Sequence, residues 1–218
     1  FLGGGEMFNI VTQDHNGNLL SAIHEPIRKI MHHDIISANY RDHIMDAFKK
    51  TMDNDVGGLP VLKNKIPQGV VEEKEFVEFF ASQDVGAKVK EAMTTNLITA
   101  TPRMTLGDIG KEMIRNDVRR LPVIDHDELV GIITTIDILD FFGNNGIFEK
   151  AKSTMAEDIL HIRANEFMTE GLITVEQEAD VGKAAKIMKE KQIGSLMVIN
   201  EEVEGIITRR DILRFVDT

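Results

Sequence analysis

Cysteine and tryptophan are missing from this chain of 218 residues, and tyrosine occurs once. The lack of cysteine removes disulfides, thiolate nucleophiles and Cys-based zinc sites together, and it fits a reducing compartment. No stretch approaches the roughly 18 continuous apolar residues of a membrane span, and no charged-then-apolar segment opens the chain. The expectation is a soluble, cytoplasmic protein. Basic charge is in deficit: 25 Lys and Arg stand against 36 Asp and Glu, a net charge of −11. That balance disfavours nucleic acid and anionic membrane as partners. G-x-S-x-G, G-x-x-x-x-G-K-[ST] and H-E-x-x-H are all missing, and Gly3-Gly4-Gly5 precedes no strand-helix unit that would make it a phosphate loop. The seven histidines show no H-x-x-x-H spacing and read as surface residues rather than metal ligands. Nothing points to an enzyme or calls for a catalytic cofactor.

What is present is repetition. Residues 121–142 read L-P-V-I-D-H-D-E-L-V-G-I-I-T-T-I-D-I-L-D-F-F: an apolar run, a polar turn, a second apolar run, then apolar residues three and four apart. This predicts strand, turn, strand, helix, with the period changing at Thr134. The pattern returns as S-L-M-V-I-N-E-E-V-E-G-I-I-T-R-R-D-I-L-R-F-V over 195–216, and in worn form as L-P-V-L-K-N-K-I-P-Q-G-V-V-E-E-K-E-F-V-E-F-F over 59–80. Gly69, Gly131 and Gly205 precede the second strand's apolar pair at intervals of 62 and 74 residues; Met31, Met93 and Met168 mark an upstream point at intervals of 62 and 75. Each copy is a supersecondary unit that must bury its apolar face against another copy.

In chain order, residues 1–25 carry an Asn16-Gly17 hairpin signal and read as the remnant of a truncated repeat. The first unit, 26–82, is expected to hold a short helix into Met31, a strand near Ile35-Ile36 and a helix with Ile44, Phe48 and Met52 on one face. The second, 88–143, has a helix to Met93, a strand from Leu97 to Thr99, and a helix with Leu106, Ile109 and Met113 behind a Thr105/Asp108 capping box. A helical linker spans 144–165. The third unit, 166–218, places a strand over Leu172 to Val175 and a helix with Val181, Ala184, Ala185 and Met188. Each unit is thus β-α-β-β-α with a leading helix, an α/β class in which a small mixed sheet carries both helices on one side. Residues 88–218 are expected to form one paired module, leaving the first unit to the hairpin remnant or to another chain.

A helix beginning at Thr134 leaves its first N–H groups unpartnered, so a hydroxyl, a carboxylate and free amides converge at Thr134 and Asp137, and again at Thr208 and Asp211. Two compatible readings stand open. One is capping, in which Thr and Asp satisfy the helix's own amides. The other is a binding corner, in which the carboxylate takes two ribose hydroxyls while amides and an arginine suit phosphate oxygens. Arg119-Arg120 and Arg209-Arg210 read equally as phosphate ligands or as solvated pairs. In the first unit the markers are Glu72 and Glu75, with Glu73 and Glu78 nearby. These predict a solvated helix face that repels phosphate, so that unit is expected to be structural or to take a ligand without phosphate.

Taken together, these blocks resemble the cystathionine-β-synthase-like (CBS) domains that occur in tandem. The matching residues are M-T-x-x-L-I-T-A-T-P (93–102), V-R-R-L-P-V-I-D (118–125) and G-I-I-T-T-I-D-I-L (131–139), then M-T-x-x-L-I-T-V (168–175), I-G-S-L-M-V-I-N (193–200) and G-I-I-T-R-R-D-I-L (205–213), with weaker coverage of 26–81. The resemblance implies units paired in pseudo-twofold fashion, with an adenosine-containing ligand in the cleft between them. That ligand is AMP, ADP or ATP; the alternatives are S-adenosylmethionine or methylthioadenosine, or empty clefts in a structural assembly module. By position it implies that Asp137 and Asp211 accept from ribose hydroxyls and that Thr134 and Thr208 lie beside ribose or phosphate. Ile98-Thr99-Ala100 and Ile173-Thr174-Val175 would wall the adenine, and the same blocks bring Thr94, Arg119, Leu121, Pro122, Ile136, Thr169, Gly194 and Leu196 to the cleft. Arg120 occupies a position that reaches phosphate in some members; its counterpart Ser195 makes the two sites unequal, with Arg209 and Arg210 the expected source of charge in the third unit. The implied mechanism is a ligand-driven population shift read by a regulated partner or a second chain, and a homodimer is expected.

Overall fold

The computed structural model describes residues 26–80, 86–144 and 156–216. The expected N-terminal hairpin and half of the linker, residues 145–155, lie outside the described residues. In the first repeat a 3₁₀ turn, Ile27–Lys29, leads into β1 (Ala38–Asn39), α1 (Ile44–Asp53), β2 (Gly58–Lys63), β3 (Ile66–Glu72) and α2 (Glu73–Phe80). The second runs α3 (Val89–Ala92), α4 (Leu106–Arg115), β4 (Arg120–Asp125), β5 (Glu128–Thr134) and α5 (Thr135–Asn144). After α6 (Ala156–Leu160) and a 3₁₀ turn, Ala164–Glu166, the third has β6 (Thr174–Val175), α7 (Val181–Lys191), β7 (Ser195–Asn200), β8 (Glu202–Thr208) and α8 (Arg209–Val216).

The opening strands are shorter than their sequence predicts. In the first repeat the strand falls at Ala38–Asn39 rather than Ile35-Ile36, and in the second Leu97 to Thr99 form none; only Ala100 bridges Val123. The cause is common to all three. Ala38, Ala100 and Val175 occupy one equivalent site beside Val61, Val123 and Val198, all three are buried, and pairing extends little beyond that core-facing residue. The hairpins are antiparallel, and their two-residue turns at Asn64-Lys65 and His126-Asp127 have positive φ at both positions, the mirror-image turn whose twist suits a hairpin. Thr105 caps α4 as expected, its hydroxyl accepting the Asp108 N–H.

The chain divides into two compact units. One holds 97–172 with 26–31, and its core gathers Ile109, Met113, Leu121, Val123, Ile133 and Phe167. The other holds 32–96 with 173–216, where Phe48, Leu59, Phe76 and Val77 of the first repeat share one core with Met188, Leu196 and Leu213 of the third. Each such fully buried side chain contributes about 2–3 kcal/mol. The first repeat therefore has an in-chain partner in the third, where the sequence left it to the hairpin remnant or another chain. This joint draws Glu73 and Glu78 out of the solvated face expected over Glu72 to Glu78, while Glu72 and Glu75 stay exposed. Glu73 pairs with Arg210 at 3.2 Å, Glu78 with Lys189 at 3.2 Å, and Lys74 stands between Glu72 and Glu75.

In the second and third repeats the glycine and methionine markers have one physical cause. Met93-Thr94, which opens the second repeat, lies along β8 of the third, and a Cβ on Gly205 would sit 2.6 Å from the Thr94 carbonyl oxygen. Met168-Thr169, which opens the third, lies along β5 of the second, and a Cβ on Gly131 would meet Met168 Sδ at 2.9 Å and the Thr169 oxygen at 3.0 Å. Among the described residues no helix is long and apolar enough to cross a membrane.

Candidate functional site

In every repeat the hairpin's second strand runs directly into the last helix, and the residue after the marker ties the corner shut. Glu73 N–H donates to Gly57 O (3.2 Å), Thr135 N–H to Arg119 O (3.0 Å) and Arg209 N–H to Gly194 O (3.2 Å). Strand register sets Arg120 opposite Thr134, Ser195 opposite Thr208 and Gly58 opposite Glu72. Directly opposed residues share a face with Cβ atoms about 5 Å apart, so Arg120 stands beside Thr134 while the third repeat offers a hydroxyl there.

The capping reading is realised at both Thr-x-x-Asp corners. Asp137 Oδ2 accepts from the Thr134 amide (2.6 Å) and hydroxyl, and Asp137 N–H donates back to Thr134 Oγ1 (3.2 Å). Asp211 repeats this with Thr208 at 2.8, 2.6 and 3.2 Å. In the first repeat Glu75 accepts from the Glu72 amide at 2.8 Å. The other carboxylate oxygen differs. Asp137 Oδ1 accepts from the hydroxyl of Thr169 at 2.6 Å, whereas Asp211 Oδ1 has no partner among the described residues. A carboxylate offers about four lone-pair directions, so Asp137 has one left and Asp211 two, both on Oδ1. Both side chains are half-buried.

The remaining candidates separate by burial. Thr94, Thr99, Arg119, Ile136, Thr169 and Thr174 are exposed, and Ile98, Arg120, Ile173, Gly194 and Ser195 are half-buried. Ala100, Leu121, Pro122, Val175 and Leu196 are enclosed, and the side chains of Ala100, Leu121, Val175 and Leu196 belong to the cores, so what these positions offer a cleft is backbone. Arg210 does not supply charge to its corner. Only 15% exposed, it bonds Asp55 at 2.8 Å and Glu73 at 3.2 Å, and Arg209 donates to Ile193 O at 2.9 Å. Nothing local in the sequence marks the Asp55 pairing, and Thr169 stands in its motif without sign of its Asp137 partner; the available signal is the matched spacing of Met168 and Gly131. A hollow of about 220 Å³ in the third repeat is lined by Thr174, Val175, Glu176, Lys183, Ile187 and Ile199. It lies at the far end of β7 from Ser195, away from Asp211.

The CBS domain model matches residues 27–82, 89–144 and 164–218. The chain belongs to the CBS-domain family. Protein MJ1225 of Methanocaldococcus jannaschii is 32% identical over 219 residues, 99% of this chain and 78% of that protein. Its crystal structure, described as that of a proposed archaeal homolog of g-AMPK, matches with a TM-score of 0.89 at 31% identity, covering 99% of this chain and 79% of that one. A 33.4 kDa protein in a ribosomal RNA operon of Thermofilum pendens is 26% identical over 215 residues, 98% of this chain and 72% of that protein. The CBS domain pair of protein MJ0100, crystallised with 5-methylthioadenosine and S-adenosyl-L-methionine, matches with a TM-score of 0.51 at 28% identity, covering 60% of this chain and 96% of that one. The three β-α-β-β-α units are CBS domains, the second with its opening strand reduced to a single bridge.

Proposed function

We propose that this chain is a non-catalytic, cytoplasmic sensor of an adenine nucleotide, AMP, ADP or ATP, held at the Thr-x-x-Asp corners of the second and third CBS domains within 88–218. The observation that carries the reading is the half-buried carboxylate of Asp211, oriented by its own helix cap and left with an unpaired oxygen to accept ribose hydroxyls. The adenosine ligands of the MJ0100 pair support the ligand class. At the second-repeat corner Arg120 lies opposite Thr134 and gives phosphate a cationic neighbour. Ligand capture favours one state of the chain, which a partner protein or a second copy reads, and the chain acts as a homodimer. A second reading has its own support. With Ser195 in place of arginine and Arg210 held by Asp55 and Glu73, the third-repeat corner suits an adenosine without phosphates, such as S-adenosylmethionine or methylthioadenosine. Isothermal titration with AMP, ATP and S-adenosylmethionine tests both. Under the nucleotide reading AMP or ATP binds and Arg120→Ala weakens it about tenfold, the loss of roughly one charge-assisted hydrogen bond. Binding of S-adenosylmethionine alone, untouched by Arg120→Ala, sinks the nucleotide reading; no binding by any of the three sinks the sensor.

A further inference from the structure

The arginine next to the third corner is held by a different domain. Arg210 precedes Asp211 on the first turn of α8, and its guanidinium gives each of its nitrogens to the first repeat. Nη2 meets Asp55 at 2.8 Å, Nε meets Glu73 at 3.2 Å, and Nη1 donates to the Val56 carbonyl oxygen at 3.4 Å. Arg210 and Glu73 are 15% and 20% exposed, so solvent and salt screen this pair only weakly. Arg214, 3.9 Å from the same Asp55 oxygen, is largely exposed and adds little. A guanidinium fork committed on all three nitrogens has little left to offer a phosphate.

The backbone sets Asp55 in place for this. It follows α1 with a φ of 51°, the left-handed point that ends a helix and that Asp and Asn tolerate better than most residues. Asp117 and Gln192 occupy the same point after α4 and α7. Among the described residues the clamp itself occurs once. In the second repeat the position of Arg210 is taken by Ile136, and Asp117 makes no ion pair among the described residues. The second corner has Arg120 on its own hairpin, whereas the arginine of the third answers to two carboxylates of another repeat.

Charge decides what such a corner accepts. Asp55 and Glu73 set two negative charges against the one positive charge of Arg210, so the field beside Asp211 does not draw in a phosphate while the clamp is closed. Without them Arg210 is a weakly hydrated cation one residue from the carboxylate. We infer that Asp55 and Glu73 of the first CBS domain are specificity-determining residues of the third corner: by withholding Arg210 they make that corner take an adenosine without phosphate. This rests on the capture of ribose at Asp211 proposed above.

Calorimetric titration of adenosine and AMP into Asp137→Asn, where the third corner is the intact Thr-x-x-Asp site, tests the inference. In that background adenosine binds and AMP binds no better. Adding Asp55→Asn and Glu73→Gln removes both charges while keeping side-chain shape and the left-handed position. Adenosine affinity then stays within about twofold and AMP tightens about tenfold, the worth of roughly one charge-assisted hydrogen bond. Arg210→Gln cancels that gain, and added salt shrinks it. A joint with a structural role alone would move the melting temperature but not the ratio of the two affinities. Circular dichroism checks the fold of each variant, and Glu73→Gln alone shifts the ratio several-fold in the same direction should the double change loosen the joint. A ratio that neither variant moves while adenosine still binds overturns the selectivity and leaves the sensor standing, as does a tenfold preference for AMP already present in Asp137→Asn. No adenosine binding to Asp137→Asn overturns ribose capture at Asp211, and the inference with it.

Discussion

The second and third CBS domains share the same corner, yet one is finished by the protein and the other is left open. Thr134 and Asp137 receive Thr169 from the next repeat; among the described residues Thr208 and Asp211 receive no hydroxyl in its place. Arginine is distributed the other way. The second corner keeps Arg120 beside its threonine, while the third turns Arg210 into the joint with the first repeat. A motif fixes the local cap, and the packing of neighbouring repeats decides how much of the motif is left for a ligand.

The sharpest way to break this comparison is at the exchange itself. Gly205→Ala drives a Cβ against the Thr94 backbone and should cost about 2–3 kcal/mol by urea denaturation, against about 1–2 kcal/mol for Gly131→Ala, where the flexible Met168 end yields first. Equal costs would show that the two sides of the exchange are not held differently. At the caps, Asp137→Asn should destabilise by about 1–2 kcal/mol and Asp211→Asn by about 1 kcal/mol, since only the former also loses the Thr169 bond. Thr169→Val isolates that bond: about 0.5–1 kcal/mol of stability is lost, and the released Asp137 oxygen makes ligand binding at the second corner several-fold tighter. Unchanged affinity would mean that Thr169 does not compete with the ligand.

The smallest effect is in acid. Hydrogen bonds from Lys88 first and then Lys90 hold the Glu178 carboxyl down to about 2, joining α3 to the third repeat. A depressed carboxylate stabilises the fold above its unfolded value near 4.5, and that contribution fades as pH falls toward 2. Glu178→Gln should flatten the pH dependence of the melting temperature in this window, and added salt should shrink the difference, as expected for an exposed cluster.

Much of the fold was legible in the sequence because it rests on local pattern. Ile109 and Met113 on α4, and Val181, Ala185 and Met188 on α7, are buried as their helical spacing requires. The corners were legible for the same reason, since Thr-x-x-Asp caps need only neighbours three residues apart. What depends on distant partners was not. Glu73 and Arg210 each look solvated in isolation, and only the meeting of α2 with α8 makes them a pair. Leu97 to Thr99 have the composition of a strand, yet only the adjacent Ala100 reaches the neighbour that completes a bridge.

The central claim is that the Asp211 carboxylate reads ribose hydroxyls, and the direct measurement is isothermal titration of the wild-type chain and Asp211→Asn with adenosine and 2′,3′-dideoxyadenosine. The account predicts that the wild type prefers adenosine by about 10-fold or more, the worth of a hydrogen bond to a charged group, and that Asp211→Asn erases most of that preference. Equal binding of the two compounds by the wild type, or a preference that survives Asp211→Asn intact, would contradict it.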